Sequence, residues 1–200
     1  MPRIFFIRHG ETDWNAAARL QGTTDIPINA TGRQQADRNG GALRELIGDA
    51  AGFDFVSGTL SRTVETMQRV RAAMGLPPDD FRRDEKLIEV GFGAWEGKKW
   101  PEIIAETPDL VDAYRARPLS FVPPDGEGYG GAHRRALAWL ARVERDTVCV
   151  SHGGISRVLR GHLLDLPEPE IVLLKVPQDQ VMEIVRDGDG PDRPRGVIWH

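Results

Sequence analysis

Two short runs constrain the fold of this chain most: RIFFI at 3–7 and TVCVS at 147–151. Both are nearly continuous in apolar character and too short for ordinary helices, so they read as buried strands. FDFVSG at 53–58 reads the same way. Between and after them lie segments with helical spacing. These cover 31–50, where Ala36, Leu43, Leu46 and Ile47 recur, 60–75, closed by Gly75, then 132–144 and 153–164. Strands alternating with helices predict an α/β fold with a mainly parallel sheet. Thr31 is the expected cap of the first long helix, and Gly40-Gly41 weakens its middle.

Other segments are read more coarsely. Residues 8–30 and 120–131 carry turn residues throughout and read as loops. KLIEV at 86–90 reads as a short extended run, and 100–117 has weak helical signals between two prolines. EIVLLKV at 170–176 and QVMEIV at 180–185 look like a hairpin, with GVIW at 196–199 as a last edge strand. GDGPDRPR at 188–195 reads as a surface loop.

The 200 residues, with no linker or internal repeat, are expected to form one domain over 1–200. At 40% hydrophobic and 28% charged residues, the composition is that of an ordinary globular protein. The net charge of -4, with arginines spread along the chain, gives no footprint for nucleic acid. No run of 18 apolar residues occurs, so no membrane span is expected. A single cysteine, Cys149, forbids an intramolecular disulfide and reads as an inert core thiol. With no signal-like N-terminus, the expected setting is the cytoplasm, and NAT at 29–31 is a chance sequon.

The chemistry is concentrated where strands end. FFIRHG (5–10) and VCVSHGG (148–154) both run from apolar residues into histidine and glycine. In an open parallel sheet, ligands bind beyond the carboxyl ends of the strands. If the two strands are neighbours, His9 and His152 open into one region. Helix 153–164 then aims free N–H groups at an anion. SGTLSR carries Arg62 to the same level, and KLIEV delivers Glu89. Two arginines and a protonated histidine suit a phosphoryl group, whose oxygens guanidinium forks match. The other histidine can serve as nucleophile, and a glutamic acid can protonate the leaving oxygen. Taken singly, each residue has a bland reading: a packed histidine, a surface arginine, a solvated glutamate. Their convergence at element ends carries the argument.

These residues also carry a resemblance. RHGETDWN (8–15) resembles the signature of the histidine phosphatase superfamily, in its phosphoglycerate mutase-like branch. LQGTTDIPINATGRQQA (20–36), SGTLSRTVET (57–66), LIEVGFGAWEG (87–97), PPDGEG (123–128) and VSHGG (150–154) follow in family order. The resemblance implies a three-layer α/β/α sandwich and a site that needs no metal or organic cofactor. It implies that His9 is phosphorylated, that Arg8, Arg62 and His152 hold the phosphoryl oxygens, and that Glu89 is the proton donor. It places Asn15, Gln21 and Gly22 along the substrate pocket. A homodimer is the family-based expectation. Glu127 matches a frequent acid with no role assigned by chemistry. Gly58, Thr63 and Gly128 depart from the usual proline, alanine and serine, and Thr31 falls one residue late in its motif. None of these departures removes a charge from the site.

The expected function is hydrolysis of a small phosphomonoester through phospho-His9. The first alternative is a mutase, which returns the group to another hydroxyl. The region 98–131 is short for that and offers only Lys98, Lys99, Arg115 and Arg117 as extra basic groups. The second is a non-catalytic phospholigand binder, which has no use for a leaving-group acid. His133, His162 and His200 have no metal-ligand spacing. Trp95, Trp100 and Trp139 read as packing residues, with Trp95 at the border of the substrate.

Overall fold

The computed structural model describes residues 2–185 and 196–200. The expected surface loop at 188–195 lies outside them. Six strands form one sheet: β1 (Ile4–Arg8), β2 (Asp54–Ser57), β3 (Arg82–Arg83), β4 (Thr147–Ser151), β5 (Val181–Val185) and β6 (Gly196–Trp199). Their order is β3-β2-β4-β1-β5-β6. β1, β2, β3 and β4 run parallel, and β5 is antiparallel to β1 and to β6. The helices are α1 (Asp13–Ala16), α2 (Ala30–Ile47), α3 (Ser61–Ala73), α4 (Trp100–Glu106), α5 (Pro108–Ala116), α6 (Gly128–Leu140), α7 (Gly153–Leu163) and α8 (Glu168–Ile171).

The pleat of β1 divides its side chains between two cores. Phe5 and Ile7 pack with Leu43 of α2 and with Met67 and Val70 of α3. Ile4 and Phe6 pack with Ile103, Val111, Ala136 and Val158 from α4 to α7. The result is the expected three-layer α/β/α sandwich. These four apolar side chains are buried, each worth about 2 kcal/mol of transfer free energy. The residue that follows β1 is thereby held on a rigid support.

Four local expectations are corrected. Asn29, not Thr31, caps α2, because its side-chain oxygen accepts the Gly32 N–H at 2.9 Å. Gly40 does not break that helix. A Cβ there would lie 2.5 Å from the Val70 carbonyl oxygen, so glycine lets α2 and α3 pack closely. KLIEV is no strand: Glu85–Leu87 forms a 3₁₀ turn and Glu89 follows in irregular backbone. The hairpin partner of β5 is β6, while 170–176 starts in α8 and continues without regular structure.

Candidate active site

β1 and β4 pair in parallel with Arg8 opposite Ser151. The next residues, His9 and His152, therefore leave the sheet side by side. The assumption that the two His-Gly strands are neighbours holds. The His9 N–H extends the ladder to the Ser151 carbonyl at 2.9 Å. The two rings meet edge-on with centroids 5.2 Å apart.

His9 Nδ1 lies 2.8 Å from the Gly10 carbonyl oxygen. A carbonyl only accepts, so Nδ1 carries the proton and Nε2 keeps its lone pair. Burial, then the nearby Arg62 and Arg8 charges, push the His9 pKa well below its ordinary value of 6.5. The ring is neutral at neutral pH, as a nucleophile requires.

Arg62, in the first turn of α3, is fully buried. Its Nη1 and Nη2 each donate at 2.7 Å, to the carbonyls of Thr24 and Gly22. That loop is held in turn by Glu96, which accepts the N–H groups of Thr23 and Thr24 at 3.0 Å and that of Phe92 at 3.0 Å. Arg8 donates through Nη1 to the Val176 carbonyl at 2.8 Å. Burial lowers the Arg8 pKa to about 10, with Glu89 opposing and Arg157 and Arg62 assisting, so the group stays charged. The Nε of Arg8 is buried without a hydrogen-bond partner among the described residues.

Glu89 reaches the start of α7. Its Oε1 accepts the N–H groups of Val90 and Gly154, each at 3.0 Å. A Cβ on Gly154 would lie 2.4 Å from that oxygen, so only glycine admits the carboxylate here. Thr12 fixes the two amide side chains. Its N–H donates to Asn15 Oδ1 at 3.2 Å and its hydroxyl to Gln21 Oε1 at 2.9 Å. With both oxygens engaged, these side chains offer a ligand N–H groups.

Seven of the eight expected site residues line one cavity of about 330 Å³: Arg8, His9, Asn15, Gln21, Gly22, Arg62 and Glu89. His152 lies behind that wall, fully buried. Its Nε2 is buried without a hydrogen-bond partner among the described residues. Burial, then Arg62, His9, Arg135 and Arg8, hold its pKa well below 6.5. It touches the cavity through Arg62.

Sequence reasoning missed part of the wall. Arg19, Tyr129 and Arg157 line it, as do Tyr114 and Trp100. Trp95, expected at the substrate border, is instead buried and stacked on Phe121. Arg157 sits one turn after Gly153 on α7, which the spacing HGGISR encodes. Cys149 is fully buried, and burial drives its pKa well up, as an inert thiol requires. A larger depression of about 680 Å³ lies at the amino end of β2, between Asp49 and Arg82, and holds none of the expected site residues.

A family model for the histidine phosphatase superfamily (branch 1) matches residues 4–194. The chain belongs to that superfamily. It is 30% identical over 178 residues to a glucosyl-3-phosphoglycerate phosphatase of Mycobacterium tuberculosis, covering 82% of this chain and 76% of the relative. It is 30% identical over 176 residues to a probable phosphoglycerate mutase GpmB of Salmonella arizonae, covering 84% and 77%. Among solved structures, Bacillus stearothermophilus YhfR superimposes with a TM-score of 0.78 at 31% identity, over 94% of this chain and 93% of that one. A mycobacterial glucosyl-3-phosphoglycerate phosphatase in complex with VO3 gives 0.75 at 27% identity, over 100% and 97%. Histidine phosphatase membership and phosphatase-named relatives support an enzyme that hydrolyses phosphomonoesters. Among the described residues, no helix is long and apolar enough to cross a membrane.

Proposed function

We propose that this protein hydrolyses a small phosphomonoester in two steps at His9. The observation that carries the reading is the bare Nε2 of a neutral His9 in a cavity shared with Arg8, Arg62 and Glu89. In the first step Nε2 attacks phosphorus. The bond to the leaving oxygen breaks, and the Glu89 carboxyl gives that oxygen its proton. In the second step water attacks the phosphorus of phospho-His9, and the Glu89 carboxylate takes the water proton. The P–N bond breaks, phosphate leaves and His9 is restored. Arg8 and Arg62 stabilise the charge on the phosphoryl oxygens, the kind of preorganised electrostatic contribution that dominates such reactions. Asn15 and Gln21 add N–H donors, and the Gly22 carbonyl keeps Arg62 in place.

Hydrolysis is favoured over mutase transfer by the cavity wall. Lys98, Lys99, Arg115 and Arg117 are not among its lining residues. Lys98 pairs with Glu106 and Arg115 with Asp112 instead. The test compares wild type with His9→Ala on an aryl phosphate, following release of inorganic phosphate and acid-labile labelling by ³²P substrate. Wild type is expected to release phosphate and take up label, and the variant to do neither. Undiminished turnover in His9→Ala removes His9 as nucleophile. Transfer of label to an acceptor alcohol with little free phosphate favours the mutase.

A further inference from the structure

Glu89 sits in irregular backbone, yet the main chain around it is pinned at almost every carbonyl. Arg135 of α6 does most of this. Its Nη1 donates to the carbonyls of Lys86 at 2.8 Å and Ile88 at 2.6 Å, and its Nη2 to that of Glu89 at 2.9 Å. Its Nε and Nη2 also form a fork on Glu127, at 2.8 and 2.7 Å. A guanidinium has five N–H groups, and these five contacts use all of them. Arg135 therefore has nothing left to offer a phosphoryl group. Two further contacts complete the frame. The Ser151 hydroxyl donates to the Leu87 carbonyl at 2.8 Å, and the N–H groups of Glu127 and Gly128 donate to the Gly91 carbonyl at 2.9 and 3.1 Å.

The sequence explains the reach. Glu127 stands immediately before α6 with no side-chain capping bond, and Arg135 lies about two turns further on the same face. Helical side chains lean toward the N-terminus, which carries the guanidinium back to Glu127 and to the segment around Glu89. A pair this close to the surface, with side-chain exposures of 18% and 33%, adds little stability by charge alone. Its geometry is the informative part: a carboxylate that orients a planar fork, and a fork that fixes three carbonyls, one of them that of the proton donor itself.

We infer that Arg135, oriented by Glu127, is the positioning residue for Glu89, setting where its carboxyl meets the leaving oxygen. This rests on Glu89 being the proton donor. Proton donation matters most when the leaving group is a poor one. The test measures kcat/KM for a p-nitrophenyl phosphate, whose leaving group departs without a proton, and for an alkyl phosphate, whose leaving group needs one. Arg135→Met, Arg135→Lys and Glu127→Gln are each made in the wild type and in Glu89→Gln. In the wild-type background Arg135→Met is expected to cost about 10²-fold on the alkyl phosphate, the scale of an ångström misplacement, and less than about 3-fold on the aryl one. Arg135→Lys keeps the charge without the fork and follows Arg135→Met. Glu127→Gln, which keeps the shape, shows a smaller loss of the same selectivity. In the Glu89→Gln background the selective loss disappears, because there is no proton donor left to position. If Arg135→Met costs the same factor in both backgrounds, or on both substrates, Arg135 is merely a structural brace and the inference is overturned. Should it fail to fold, the same comparison is read from Arg135→Lys and Glu127→Gln. If Glu89→Gln itself slows both substrates equally, the assignment of Glu89 fails first and takes the inference with it.

Discussion

Arg62 donates through Nε to Nδ1 of His152 across 3.3 Å, entirely out of solvent. An accepting Nδ1 places the ring proton on Nε2 and makes His152 neutral. The floor of the site is thus a guanidinium resting on an uncharged imidazole, beside a second uncharged imidazole at His9.

Stability should depend on these two rings. Burial, with the arginines, holds both well below the 6.5 of an ordinary histidine. In the unfolded chain both titrate near 6.5. Below that pH the unfolded state takes up protons that the folded state refuses, so stability falls as pH falls from 6.5 toward the folded values. The slope is about 1.4 kcal/mol per pH unit for each ring. Urea denaturation between pH 7 and 5 is expected to show a shallower loss in His152→Gln than in wild type. Identical slopes would contradict the burial of a neutral ring.

Gly154→Ala should disable the acid. The added Cβ would meet Glu89 Oε1 at 2.4 Å and Val90 Cγ2 at 2.5 Å. Overpacking of this kind costs about 1–3 kcal/mol of stability, and it moves the carboxylate off the α7 N–H. Alkyl phosphate turnover is expected to drop more than aryl phosphate turnover, and thermal unfolding to start earlier. Wild-type kinetics in this variant would show that Glu89 tolerates displacement.

Glu96 acts on Arg62 from one layer further out. Burial alone would raise its pKa, but hydrogen bonds from Thr24, Thr23 and Phe92 outweigh burial and lower it. Glu96→Ala frees the Gly22 and Thr24 carbonyls to move, and Arg62 with them. Inhibition by vanadate should weaken along with a fall in kcat/KM of about 10²-fold, the scale of a small misplacement. Unchanged vanadate affinity would separate Glu96 from the phosphoryl clamp.

Arg157 is expected to meet the leaving group of the substrate. It lines the cavity and donates to the Leu174 carbonyl at 2.9 Å and the Tyr129 hydroxyl at 3.2 Å, with no carboxylate partner among the described residues. Arg157→Met is expected to raise KM about 10-fold for a phosphomonoester with a second acidic group, the scale of one charge-assisted hydrogen bond. A neutral substrate should change little. An equal change for both would assign Arg157 to structure alone.

In the proposed reaction, Arg8 and Arg62 supply the positive charge that a metal would otherwise bring to the phosphoryl group. Thorough chelation is therefore expected to leave turnover intact. Loss of activity, restored by a divalent ion, would contradict a clamp made of guanidinium groups.

The sheet was largely legible because its signals are local. β1 and β4 announce themselves as apolar runs, and each is followed at once by a histidine of the site region. The α2 cap was missed locally, by two residues, whereas the two misread strands share one cause, which is long range. KLIEV has the composition of a strand, but Arg135, far along the chain, holds its carbonyls in another shape. EIVLLKV looks like a hairpin arm, but Arg157, Arg160 and Arg8 take the carbonyls of Leu174, Lys175 and Val176. Glu127 had no readable role for the same reason: its partner is an arginine whose other contacts are all main chain.

Those main-chain contacts also bear on how such a site changes over time. Arg8, Arg62 and Arg135 are aimed chiefly by carbonyl oxygens, and every residue type supplies the same carbonyl. Positions 24, 86, 88 and 176 can hold their arginine whatever side chain they bear, provided the backbone keeps its path; position 22 is the exception, because φ is +56° there and a Cβ would lie 2.0 Å from Glu96 Oε1. Drift in these loops can therefore remodel the cavity wall while Arg8 and Arg62 stay where they are.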